Sequence, residues 1–207
     1  NTQREKTPRP SKGERENTLA EKNRARETDT PWVRVRTGAL SMKGPADMLE
    51  VCSIIAIELD KLGVKESRNV QTAIFYEDKG TYMNYEYYAK HEQTFITETT
   101  YTNNEIHEAF AQKMLQENGD FFITHINGDE VKDWIAYQKT TNVFIDDYLY
   151  AASSLNYYWF SLGPVALGIS TYVALKEEET NLFKRFLKVF ELAYRRYLDI
   201  EQATAQA

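Results

Sequence analysis

The last thirty-one residues, Glu177 to Ala207, contain neither proline nor glycine and read as one long amphipathic helix. Glu177, Glu178 and Glu179 open it, where negative charge complements the positive end of the helix dipole. Phe183, Phe186, Phe190, Ala193, Tyr197, Ile200, Thr204 and Ala207 then recur at alternating spacings of three and four, the pattern of a coiled-coil seam. Leu182, Leu187, Tyr194 and Leu198 form a second row on a neighbouring face. The first half of this helix, Leu182 to Tyr194, is read first as packing on the chain's own sheet, with a second copy of the chain as the alternative destination. From Tyr197 onward the pattern favours a helix that leaves the domain. Phe183, Phe186, Phe190, Ala193, Tyr197 and Ile200 are accordingly the candidate dimer contacts.

Upstream, the hydrophobic period alternates between helix and strand. Met48, Val51, Cys52, Ile55, Leu59 and Leu62 recur at helical spacing, and Gly63 supplies the stop. Val70–Tyr76 is rich in β-formers, Glu77–Gly80 is a hairpin signal, and Thr81–Ala89 and Thr94–Tyr101 supply two more strands. Asn103 or Asn104 caps a helix that runs to Asn118 and ends at Gly119. Asp120–Ile126 is a short strand, Glu130–Lys139 a helix, and Ile145–Ser153 a further turn or two of helix. Asn156–Leu162 and Val165–Leu175 pair around Gly163-Pro164 and lead into the closing helix. Hairpins with helices segregated around them predict an α+β fold with a central antiparallel sheet of five or six strands. Residues 1–32 read as a charged extension and 33–207 as the domain.

Charge limits the partners. Residues 1–36 hold ten Lys/Arg against six Asp/Glu, while the whole chain carries a net charge of −6. The basic arm is mixed in sign and has no aromatic residue before Trp32, so it offers no platform on which bases stack. Nucleic acid is not expected as a partner. No apolar run approaches the length needed to cross a bilayer, so no membrane is expected either. Cys52 is the single cysteine, among Val51, Ile54 and Ile55, and a reducing cytoplasmic setting follows as the expectation.

Catalytic and metal-binding patterns are sparse. His91, His107 and His125 are the three histidines, and none has a partner at metal-ligand spacing. His107, between Ile106 and Glu108, reads as part of a solvated helix face. Asp146-Asp147 and Glu177–Glu179 read as solvated helix starts. Nothing assembles a nucleophile, a base and an oxyanion donor, and neither catalysis nor a cofactor is expected. The chain is instead rich in aromatic residues, with 14 Tyr, 10 Phe and 3 Trp. Strand alternation places Tyr85 with Tyr87 and Tyr157 with Trp159, pairs suited to the wall of a pocket for a planar ligand. Phe122, His125 and Trp134 complete the candidate ligand-binding set. Ordinary strand filling is the competing reading of the tyrosines.

The segment Phe186–Asp199 (FLKVFELAYRRYLD), followed by IEQATAQA, resembles the closing helix of GAF-like sensor modules. These modules recur in multi-domain bacterial signalling proteins, ahead of histidine kinase, cyclase or DNA-binding outputs. Arg34–Met42 (RVRTGALSM) is similar to the helix that opens such a module. Gly119-Asp120-Phe121-Phe122, Gly128-Asp129-Glu130, Trp134 and Tyr137 fit its middle. The resemblance implies a sheet flanked by helices, with first and last helices that join a dimeric bundle. It also implies a pocket on one sheet face that signals into the helix from Glu177. Cys52 does not match the cysteine that attaches a bilin in light-sensing relatives. The expected function is a non-catalytic module that senses an unknown small molecule, or relays a conformational signal, as a homodimer. A ligand-free dimerising spacer of the same fold is the alternative, and a small-molecule enzyme a weaker one.

Overall fold

In the computed structural model, residues 12–13, 16–19, 21–22, 30–116 and 118–206 are described. The side chains of residues 45, 118–120, 193, 196–197, 200–201 and 204 lie outside that description. The short described pieces before residue 23 are helical, and the rest of the charged extension before residue 30 lies outside the described residues.

From residue 30 the order is α1 (Pro31–Leu40), α2 (Met48–Lys61), β1 (Ser67–Tyr76), β2 (Thr81–Tyr88), β3 (Gln93–Thr100), α3 (Glu105–Gln116), β4 (Asn118–Asn127), α4 (Asp129–Gln138), α5 (Asp147–Ala151), β5 (Ser154–Leu162), β6 (Val165–Thr171) and α6 (Glu177–Ala205). The fold is α+β, and its six strands form one antiparallel sheet in the order β3-β2-β1-β6-β5-β4. Local chemistry accounts for the element ends. Pro31 sits in the first turn of α1, where its missing N–H costs nothing. Asn104 Oδ1 accepts from the backbone N–H groups of Ile106 (3.0 Å) and His107 (3.1 Å), capping α3 as its sequence predicts.

The sheet separates two cores. On one face α1, α2 and α6 pack on Val70, Tyr85, Tyr158, Phe160, Leu167 and Ile169. On the other, α3, α4 and α5 cover Ala73, Phe75, Leu155, Tyr157, Trp159 and Ala166. Alternation along each strand divides the residues between them, so β5 sends Tyr158 and Phe160 one way and Tyr157 and Trp159 the other.

Two glycines permit close approaches. A Cβ at Gly38 would stand 2.7 Å from Cδ1 of Ile54, so α1 closes on α2 only without a side chain there. On the cavity side of β6, a Cβ at Gly168 would meet the indole of Trp159 at 2.5 Å, and the ring lies across that glycine.

The first half of the closing helix packs on the chain's own sheet, the first of its two expected destinations, which corrects three of the candidate dimer contacts. Phe183, Phe186 and Phe190 are fully buried within the chain itself, in the core that α6 shares with α1, α2 and the sheet. Phe183 meets Phe121 of β4, and Phe186 meets Trp32 of α1, with ring centroids 6.4 and 5.3 Å apart. Arg185 lies 3.8 Å over the Trp32 ring and fastens α6 to α1 from outside. A coiled-coil row and the core-facing stripe of a surface helix have nearly the same spacing, and here the tertiary core takes the large aromatics. Ala193, Tyr197 and Ile200, the rest of the expected seam, lie outside the described side chains.

Candidate functional site: a polar-lined aromatic cavity

Between the sheet and α3/α4 lies a cavity of about 80 Å³. Its floor is Gln71, Ala73 and Phe75 of β1, Tyr82, Asn84 and Glu86 of β2, Thr124 and Ile126 of β4, and Tyr157 and Trp159 of β5. Its roof is Ile106, His107, Phe110, Ala111 and Met114 of α3, Trp134, Tyr137 and Gln138 of α4, and Thr141 and Val143 beyond α4.

The β1–β2 hairpin assembles the polar part of the floor. It pairs Tyr76 with Thr81, and therefore Gln71 with Glu86 and Ala73 with Asn84, on one face. Arg68 has the parity of Val70, which faces the opposite core. The ladder between β1 and β6 shifts register between Ser67 and Asn69, however, and Arg68 reaches the cavity.

Arg68 and Glu86 are both buried. The Nε of Arg68 donates to Asp146 Oδ1 at 2.8 Å, and Nη1 donates to Ser170 Oγ at 3.3 Å. Tyr172 donates to the second oxygen of Asp146. Glu86 Oε2 accepts from Asn69 Nδ2 (2.8 Å) and from the Tyr88 hydroxyl (2.6 Å). Burial raises the Glu86 carboxyl above the usual carboxylate range, while the Tyr88 hydrogen bond, the Arg68 charge and Asn69 pull the other way.

What remains after these bonds defines the site. Arg68 Nη2, Asn84 Oδ1, Glu86 Oε1, Gln138 Oε1 and Trp159 Nε1 are buried without a hydrogen-bond partner in the protein, and all five residues line the cavity. An unsatisfied buried polar atom costs on the order of 1–3 kcal/mol, so five around one space is not packing noise.

The aromatic wall is fixed more tightly. Tyr157 and Trp159 stack at 13° with centroids 6.5 Å apart, and Trp134 Nε1 donates to the Tyr157 hydroxyl at 3.0 Å. Phe110 meets Trp159 edge-on at 5.7 Å. His107, read from the sequence as solvated, is buried, with Nε2 2.9 Å from the Tyr82 hydroxyl and Nδ1 2.6 Å from that of Tyr137. Desolvation lowers its pKa to about 4, so at neutral pH one ring nitrogen donates to a phenol while the other accepts from one.

Of the residues expected at a ligand site, Trp134, Tyr157 and Trp159 line the cavity together. Phe122 shares the face but lies beneath Phe110, centroids 5.8 Å apart, outside the lining. Tyr85 and Tyr87 share a face, as alternation requires, but it is the opposite one, against the α2 core. His125 is also on that opposite side, exposed, with Nδ1 2.5 Å from Asn156 Oδ1 and its ring edge-on to Tyr158. Three positions separate it from Phe122, an odd offset that turns a strand residue to the other face. Arg68, Asn84, Glu86, His107 and Gln138 are among the members that the sequence reading missed. The hairpin held the signal for two of them, because a turn at Glu77–Gly80 sets Asn84 and Glu86 beside Ala73 and Gln71.

Among the described residues no group of three or more His, Cys, Asp or Glu is placed to hold a metal ion, and no helix is long and apolar enough to cross a membrane. Cys52 is buried in the opposite core, 3.3 Å from Thr72 Oγ1, and burial pushes its thiol up to about 12. Compared with protein-family models, with curated proteins and with solved structures, the chain finds no match.

Proposed function

We propose that this chain is a regulatory sensor module of GAF-like architecture that takes a small molecule into the cavity beneath α3 and α4. The observation that carries this reading is the set of five unpartnered buried polar atoms on residues that line one aromatic-walled space. Such a wall with a few convergent polar groups is the usual composition of a small-molecule site. The helix distribution supports the same reading. The opening and closing helices pack together on one sheet face, and the cavity occupies the other.

The reading is non-catalytic. Both nitrogens of His107 are engaged by phenols, so it has no free base to offer a substrate. The Cys52 thiol stays protonated at neutral pH and faces the other core. Transmission would run from Tyr157 and Trp159 through β5 to Tyr158, whose hydroxyl accepts from the Leu175 N–H at 2.7 Å just before α6. A ligand biases α6 only through its differential affinity for two arrangements of that connection.

Ligand-observed NMR with small aromatic fragments, together with hydrogen exchange along α6, tests the proposal. The expected result is saturable binding that moves the Trp134 and Trp159 indole N–H resonances and changes exchange in α6. Absence of any fragment binding overturns the sensor reading. Binding without a change in α6 overturns the relay and leaves a binding module.

A further inference from the structure

We propose that the cavity recognises a small, planar, uncharged nitrogen heterocycle with a hydrogen-bond donor and an acceptor on one edge, such as a lactam or an amino-substituted ring. This deepens the sensor reading and rests on it.

The unpartnered atoms set the class. Arg68 Nη2 offers a donor and Glu86 Oε1, in the ionised carboxylate, an acceptor, and they come from neighbouring strands of the floor. Neither contacts the other as a hydrogen bond, so each is left for a third group. A ring edge with adjacent C=O or ring nitrogen and N–H satisfies both at once. A hydrocarbon satisfies neither, and a ligand with acceptors alone leaves Glu86 unmet. Asn84 Oδ1, Gln138 Oε1 and Trp159 Nε1 add two acceptors and a donor for further ring substituents. The stacked Tyr157 and Trp159 and the edge-on Phe110 require a flat body.

Charge excludes the acidic alternatives. Among the described residues lining the cavity Arg68 is the cation, and its Nε is already committed to buried Asp146. Glu86 stands alongside. A phosphate or carboxylate entering here would join two carboxyl groups around one guanidinium, with no further cation to compensate it.

The test measures affinities of the full chain for 2-pyridone, 2-aminopyrimidine, toluene, benzoate and inorganic phosphate by titration calorimetry and ligand-observed NMR. At least one heterocycle is expected to bind tenfold or more tightly than toluene, with no saturable binding of benzoate or phosphate. Glu86→Gln keeps an oxygen for Asn69 and Tyr88 but turns an NH₂ group toward the cavity. It should weaken heterocycle binding at least tenfold and leave toluene binding unchanged. Trp159→Phe, which removes the indole donor together with part of the ring wall, should weaken heterocycle binding severalfold more than toluene binding and serves if the Glu86 variant does not fold. Equal binding of toluene and the heterocycles, preference for benzoate or phosphate, or unchanged heterocycle affinity in folded Glu86→Gln overturns the ligand class while the cavity reading stands. Failure of every probe, toluene included, overturns both.

Discussion

Trp159 of β5 lies flat across Gly168 of β6, so close that a β-carbon on the glycine would fall 2.5 Å from the indole Cε3. The two residues face each other in the β5–β6 ladder, and the indole stacks in turn on Tyr157. One missing side chain thus sets the depth of the cavity floor.

Gly168→Ala should therefore displace the indole. Overpacking a well-filled site costs about 1–3 kcal/mol. Chemical denaturation should show a loss of that size, and tryptophan emission in the folded state should shift. An unchanged midpoint would mean that the indole has another place to go.

His107 makes stability depend on pH. Its pKa falls from 6.5 to about 4 on folding, through desolvation. Its contribution is complete above the unfolded value and is lost as pH falls through the folded one, because the unfolded chain takes up the proton first. The loss between those limits is about 3 kcal/mol. His107→Gln should flatten the melting temperature between pH 6.5 and pH 4. A variant with the same slope as the parent would assign the acid sensitivity elsewhere.

Glu86 acts in the opposite direction. Its carboxyl is raised by burial, so the stabilisation is present below the ordinary carboxyl pKa and is lost as pH rises through the folded value. Glu86→Gln should gain stability relative to the parent at pH 8 and lose that advantage at pH 4. Parallel melting curves for the two proteins across this range would contradict the raised carboxyl.

Phe186 separates a core helix from an association helix. It is fully buried within one chain, against Trp32. Phe186→Ala should cost about 3–5 kcal/mol by leaving a cavity. That loss should be the same at low and high protein concentration. A loss that grows on dilution would instead place the ring between two copies.

The sequence carried much of this architecture. Helix α2, the β1–β2 hairpin and the α3 cap lie within a residue or a few of their expected positions, because each has a local signal: a 3.6-residue period, a turn, an asparagine. The strand order required tertiary information, since no local signal says that β6 inserts between β1 and β5. The site was half legible for the same reason. Alternation correctly grouped Tyr157 with Trp159 and Tyr85 with Tyr87, but period two does not say which face has the cavity. His107 escaped notice because glutamates flank it in sequence, while a helix turns successive residues by 100°, so its own side chain points inward.

The roof of the cavity, α3, α4 and the residues just beyond α4, comes from the stretch between β3 and β5, whereas the opposite core is built by α1, α2 and α6 with the sheet. The floor, with Arg68, Glu86 and Trp159, belongs instead to the sheet that the two cores share. Substitutions in the roof therefore reshape the cavity from one side, whereas substitutions in the floor fall on strands that also carry the core of the opposite face.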